Sequence, residues 1–153
     1  MSLELRKAKM SDAKAIHAML LNCSDGMVLP RSFSKIYGCL RDFYVVVDTE
    51  NDTLVGCCAL AFTWENLAEL RSLYVLPEYR GHGLARKLVS ACAAEAEEFH
   101  IERVFVLTDQ VGFFSHMNFE EIGKELLPHK VWADCIDCPQ FPDCNEVAMA
   151  LKK

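Results

Sequence analysis

The chain has 153 residues, enough for one domain with a substantial core, and 52% of them are hydrophobic, which excludes a disordered or collagen-like chain. Sixteen basic residues against twenty-two acidic ones give a formal charge of −6. A nucleic-acid binder with a basic face is therefore not expected, nor is an acidic polymer as substrate.

No apolar run approaches the about 20 residues that span a bilayer, and residues 1–7 are charged from the start. The expectation is a cytoplasmic protein without membrane attachment. Along the chain, residues 3–9 alternate apolar and charged side chains as a half-buried strand does. Ser11 is placed to cap a helix whose stripe is Ala15, Ile16, Met19 and Leu20. Asp25-Gly26 ends it, a loop follows at 29–32, and 34–41 reads as a short second helix. Two β-rich runs, 43–47 and 53–62, flank a hairpin turn at 49–52, and a third, 68–76, stops at Pro77. The longest helix covers about 81–99, with Leu84, Leu88, Val89, Cys92 and Ala96 at spacings of three and four. Residues 104–107 are wholly apolar, as a buried parallel strand would be. A brief helix at 111–117 and strands at 119–122 and 147–151 complete the series. Strands both consecutive and separated by helices imply an α/β (α+β) chain with one mixed sheet and helices on its faces. A single domain over 1–153 is expected, with a Cys/Pro-rich insertion at about 129–145.

The stretch Leu73-Tyr74-Val75-Leu76-Pro77-Glu78-Tyr79-Arg80-Gly81-His82-Gly83-Leu84-Ala85 takes a strand through a short glycine-containing loop into the long helix. Free N–H groups at a helix N-terminus, with the helix dipole behind them, attract anions. Gly81 and Gly83 let the backbone approach a phosphate closely, and Arg80 adds positive charge. The third glycine of a dinucleotide fingerprint is missing, and so is the Lys-Ser/Thr pair of a nucleotide P-loop.

Arg80-Gly81-His82-Gly83-Leu84-Ala85 matches the Arg/Gln-x-x-Gly-x-Gly/Ala signature of the GNAT N-acetyltransferases, which the chain resembles over nearly its whole length. Phe113-Phe114-Ser115-His116-Met117-Asn118-Phe119 is similar to that family's late helix and turn. Within the family, Val28-Leu29-Pro30-Arg31-Ser32, Gly56-Cys57-Cys58-Ala59-Leu60, Ala68-Glu69-Leu70-Arg71 and Leu127-Pro128 look most like the acetyltransferase domain of the N-acetylglutamate synthases. The resemblance implies the GNAT fold: a mixed, mostly antiparallel sheet flanked by helices and splayed between strands 4 and 5. It implies acetyl-CoA as cosubstrate, its pyrophosphate on Arg80, Gly81, His82, Gly83, Leu84 and Ala85, and its acetyl-pantetheine arm along the backbone of Leu73, Tyr74 and Val75. It also implies L-glutamate as the acceptor amine, in a step opening arginine biosynthesis, and leaves a homodimer open.

Glu69, whose strand position faces the expected cleft, is the candidate general base, acting through a water, and a solvated strand carboxylate is the alternative. Phe114 stands where many relatives carry a proton-donating Tyr, so Thr108 becomes the candidate acid, against a structural role at the strand end. Arg31 and Arg71 are candidate clamps for the two glutamate carboxylates, because the guanidinium fork suits them; pairing with surface acids is the alternative.

Of the eight cysteines, Cys23, Cys39, Cys57, Cys58 and Cys92 sit among apolar neighbours and read as small buried hydrophobes. Cys135, Cys138 and Cys144 form a C-x2-C-x5-C pattern inside the insertion. Three thiolates fall one short of a closed metal site, with His129 the candidate fourth ligand, so no metal is assigned. A redox pair and simple reduced thiols stay open beside a metal site. The insertion stands where longer N-acetylglutamate synthases have a basic stretch, and any inhibition by arginine would need a site other than their kinase-like domain. Competing functions are acetylation of another small-molecule or protein amine, and a non-catalytic acyl-CoA or metal sensor.

Overall fold

The computed structural model describes residues 1–21, 33–123, 125 and 147–152. Its strands are β1 (Leu3–Lys7), β2 (Phe43–Asp48), β3 (Thr53–Trp64), β4 (Leu67–Val75), β5 (Arg103–Thr108), β6 (Phe119–Ile122) and β7 (Val147–Leu151). The first four pair antiparallel in chain order. β5 then joins β4 in parallel, and β7 inserts antiparallel between β5 and β6, giving the order β1-β2-β3-β4-β5-β7-β6. The described helices are α1 (Ala13–Leu21), α2 (Phe33–Gly38), α3 (Leu84–Glu98) and α4 (Val111–His116). This is the mixed, mostly antiparallel sheet that the sequence leads one to expect. β5 is buried and parallel to β4 as anticipated, with an antiparallel neighbour on its other side.

Strand alternation divides the core between the two faces. Ala68 and Leu70 of β4, with Val104 and Val106 of β5, pack against Leu88, Val89 and Cys92 of α3. On the opposite face, Phe43 and Val45 of β2 and Cys57 and Ala59 of β3 pack under Ile16 and Leu20 of α1 and Ile36 of α2. Phe105 and Leu67 join Ala148 and Ala150 further along that face. Glu69 and Arg71 share parity with Leu67, so they lie on the face that carries α1 and α2.

β4 is distorted where it matters. The β4–β5 ladder covers only Leu67↔Arg103 to Leu70↔Val106, and residues 71–75 run past its end. Against β3 the register shifts between Cys57 and Ala59, and Ser72 takes φ +57°, a bulge that inserts one residue. The Cys57 thiol donates to the Ser72 carbonyl at 3.3 Å. The bulge turns Tyr74 onto the same face as Arg71, and Tyr74 packs there with Ala59 and Phe43. The sheet thus splits between its fourth and fifth strands.

Two expected helix starts are corrected. A 3-10 turn, Met10–Asp12, precedes α1, and Ser11 does not cap it. Asp12 does the work: its carboxylate accepts the Lys9 backbone N–H at 2.7 Å and the Arg6 guanidinium at 2.7 and 3.1 Å. The buried stripe begins at Ala13, and Ala15 is exposed. α3 starts at Leu84 because Gly81 (φ +88°) and Gly83 (φ +75°) lie outside the right-handed helical region. The 25–26 and 29–32 assignments and Cys23 lie outside the described residues. Cys57, Cys58 and Cys92 are fully buried, as read from the sequence, and Cys39 is half-buried. A hydrogen bond with Cys92 and burial push the Cys58 thiol well up, so it stays protonated and inert.

Asp48 closes the β2–β3 hairpin. It is buried and accepts the backbone N–H of Ser2 (3.3 Å) and Glu50 (3.2 Å), the Asn51 amide (3.2 Å) and the Tyr79 hydroxyl (2.8 Å). The Tyr79 hydrogen bond lowers its pKa most, with burial opposing and the two backbone amides helping. A carboxylate depressed in the folded state stabilises the protein above its unfolded value, about 4, and that stability is lost as pH falls through the folded value. Tm is therefore expected to drop on acidification below about pH 4, with a shallower acid slope in Asp48→Asn; equal slopes would remove Asp48 from the acid transition.

Candidate functional site

The loop between β4 and α3 has the backbone features that suit an anion. Pro77–Tyr79 forms a 3-10 turn, Arg80 through Gly83 are exposed, and α3 opens on Gly83 as a left-handed N-cap without a side-chain cap. A Cβ placed on Gly81 or Gly83 would meet no atom within 4 Å, so open space lies over the backbone amides. Leu84 is buried and Ala85 packs against the same core, so these side chains seat the helix while its first N–H groups point outward. Arg80 is held in place: its Nε donates to the Val75 carbonyl at 2.9 Å, and its guanidinium stands 5.3 Å from the Tyr74 ring centroid. His82 is exposed.

The split sheet leads inward from this loop. Residues Leu73, Tyr74 and Val75 lie past the end of the β4–β5 ladder, on the strand that runs directly into the cradle. Beyond Leu70 the β4 backbone no longer pairs with β5, which leaves an edge of the kind an extended chain can pair with. The open backbone over Gly81 and Gly83 and the divergence of β4 from β5 together fit a phosphate-bearing ligand with a long, thin arm.

On the α1–α2 face, Glu69 is opposite Ala61 of β3 and Phe105 of β5. It is 7% exposed, and its Oε1 accepts Arg71 Nε at 2.5 Å. A charged hydrogen bond of this kind keeps both groups oriented. Arg71 forms part of the wall of a pocket of about 240 Å³ whose other walls include Lys35 and Gly38 of α2, Asp42 and Phe43, and Ala59 and Ala61 of β3. The pocket is smaller than the ~300–1,000 Å³ usual for drug-sized ligands.

Thr108 is buried on the opposite face, where its Oγ accepts the Gln110 N–H at 2.9 Å and ties the strand end to the start of α4. That occupies an acceptor position and leaves the hydroxyl proton as what it can offer. Phe114 is locked in the core by edge-on contacts to Phe113 (5.0 Å) and Phe119 (5.2 Å). The exposed His116 ring bonds within its own helix, to the Gly112 carbonyl at 2.7 Å.

Glu69 and Arg71 are thus brought together, and Thr108 is separated from them by the sheet. Arg31, His129, Cys135, Cys138 and Cys144 lie outside the described residues. Among the described residues no cluster of His, Cys, Asp and Glu is arranged to hold a metal, and no helix is long and apolar enough to cross a membrane. Lys35, Asp42 and the Asp48–Tyr79 pair escaped the sequence reading. The first two look like solvent-facing charges until the register Phe43↔Ala59↔Arg71 brings their elements over Arg71.

Comparison with known proteins bears on the fold and on the class of reaction. The acetyltransferase (GNAT) family matches residues 14–119. An uncharacterized N-acetyltransferase of Chlorobaculum tepidum is 42% identical over 146 residues, covering 95% of this chain and 93% of that protein. The amino-acid acetyltransferase of Mycobacterium tuberculosis is 31% identical over 119 residues, covering 77% of this chain and 68% of that protein. Among solved structures, a Mycobacterium tuberculosis protein in complex with CoA superposes with a TM-score of 0.82 at 26% identity, covering 98% and 99% of the two chains. N-acetylglutamate synthase of Neisseria gonorrhoeae, complexed with coenzyme A and N-acetyl-glutamate, gives a TM-score of 0.85 at 22% identity; the match covers 99% of this chain and 35% of that one. At that identity it supports the fold alone.

Proposed function

Since the chain belongs to the acetyltransferase (GNAT) family and is an acetyl-CoA-dependent N-acetyltransferase, we propose that its acceptor is the α-amine of L-glutamate. The observation that carries this reading is the pocket beside Glu69, where the cations Lys35 and Arg71 stand with the carboxylate of Asp42. A dicarboxylic amino acid matches that set: carboxylates for the cations, and an ammonium group for an acid. The pocket's size suits a small acceptor, and the amino-acid acetyltransferase relative points the same way. Arg31 is the second carboxylate clamp in this reading, and N-acetylglutamate, with its place in arginine biosynthesis, is the product. Asp42 also suits a purely cationic amine, which makes a polyamine the competing acceptor.

Acetyl-CoA supplies the thioester. In the proposed mechanism, the amides at the start of α3, with Gly81, His82 and Gly83, bind its diphosphate, supported by Arg80. The backbone of Leu73, Tyr74 and Val75 aligns the pantetheine arm, and one N–H there polarises the thioester carbonyl as charge develops. Glu69 takes the proton that the α-ammonium of a free amino acid, more basic than a chain terminus, must lose before it can attack. Arg71 orients Glu69 and holds a substrate carboxylate. Thr108, across the sheet on the α4 side, donates a hydrogen bond to the departing thiolate, which takes up the second amine proton shed as the tetrahedral intermediate collapses to the amide. Base and donor then serve opposite sides of the gap between β4 and β5.

The product tests the proposal. Incubation with acetyl-CoA and L-glutamate is expected to yield N-acetylglutamate and free coenzyme A in equal amounts, read by mass. Acetylation of a different amine with none of glutamate would sink the glutamate assignment and leave the acetyltransferase class intact.

A further inference from the structure

The loop that forms the cradle is anchored at Arg80, whose Nε donates to the Val75 carbonyl at 2.9 Å, and its glycines carry no side chain to fix the rest. Arg80 to Gly83 are exposed, and two of the four are glycines at positive φ, which impose no side-chain restraint. Its shape therefore depends on its ends. The downstream end is fixed by Leu84, buried in the α3 core. The upstream end hangs on the 3-10 turn Pro77–Tyr79, docked by Leu76 N–H on the Val55 carbonyl (2.8 Å) and by the Tyr79 ring against the core. The Tyr79 hydroxyl reaches across to donate to Asp48 at 2.8 Å.

Asp48 is a rigid acceptor. It is 1% exposed and already held by Ser2 N–H, Glu50 N–H and the Asn51 amide, all in or beside the β2–β3 hairpin. A hydrogen bond to a buried carboxylate is among the stronger ones. Glu50 and Asn51 close that hairpin and Ser2 ties the start of the chain to it; Tyr79, 31 residues from Asp48, is the donor next to Arg80 in the chain. We propose that Asp48 and Tyr79 form a latch that positions the coenzyme loop, so that a buried acid remote from the chemistry sets the affinity for the phosphate end of the cosubstrate. Both are positioning residues, and the inference rests on the reading of Arg80–Gly83 as the diphosphate site.

The test compares coenzyme A with pantetheine, which has the same thiol arm and no diphosphate. Dissociation constants are measured by calorimetry for coenzyme A and by competition for pantetheine, on the unaltered protein, Tyr79→Phe and Arg80→Ala. Tyr79→Phe removes only the hydroxyl and keeps the packed ring, and its Tm is recorded alongside. The latch predicts that Tyr79→Phe weakens coenzyme A by roughly 10-fold or more and leaves pantetheine within about twofold. It also predicts faster hydrogen exchange at 81–84 and little further loss of coenzyme A affinity when Asp48→Asn is added. Equal weakening of both ligands, or of neither, by Tyr79→Phe overturns it. If Arg80→Ala discriminates between the ligands and Tyr79→Phe does not, the latch fails and the loop remains the diphosphate site. If neither discriminates, both readings fall.

Discussion

Glu69→Gln is expected to lower kcat by ~10²–10⁴-fold at pH 7, the usual contribution of a positioned general base. Glutamine keeps the carbonyl oxygen that accepts Arg71 Nε at 2.5 Å, so the pair's geometry survives while the proton acceptor is lost. The position is nearly sealed, at 7% exposure between Ala61 and Phe105, which limits substitution by solvent hydroxide. The size of the loss should itself depend on pH. The gap between Glu69→Gln and the parent should narrow as pH rises toward the pKa of glutamate's own α-ammonium, where solvent deprotonates the amine without the base. A pH-independent deficit would point to a structural role for Glu69, and an unchanged kcat at pH 7 would remove it from the mechanism.

Arg71→Ala is expected to raise KM for glutamate by roughly 30- to 1,000-fold, corresponding to ~2–4 kcal/mol for breaking a hydrogen-bonded charge pair. KM for acetyl-CoA should change far less, because Arg71 lines the acceptor pocket and not the loop before α3. Arg71→Lys should recover only part of the loss, since an ammonium keeps the charge without the planar fork. A glutamate KM within threefold of the parent value in Arg71→Ala, measured in steady state, would show that the carboxylates bind elsewhere.

What could be read in the sequence was whatever is encoded over short distances. The Arg80–Gly83 loop was visible because glycine spacing and the following helix stripe lie within a few residues of one another. Glu69 and Arg71 could be put on one face because they are two apart in a strand. The bulge at Ser72 was invisible: no glycine or proline marks it, and it arises from the register of β3 against β4. That bulge carries Tyr74 onto the acceptor side. Lys35 and Asp42 likewise gain meaning only when two strand registers are combined. Asp48 escaped notice because two of its partners, Ser2 and Tyr79, come from distant parts of the chain. At the start of α1, propensity favoured Ser11 as the cap, but a partly buried Arg6–Asp12 pair took over.

The most direct measurement is the initial rate of coenzyme A release from acetyl-CoA with L-glutamate, L-glutamine, L-aspartate, putrescine and a peptide N-terminus in turn, each product identified by mass. Glutamate is expected to saturate and to exceed glutamine in kcat/KM by roughly 10²-fold, because cations placed for a carboxylate lose their partner when it becomes an amide. Saturable turnover of glutamine, putrescine or the peptide at a higher kcat/KM than glutamate would contradict the assignment of the acceptor.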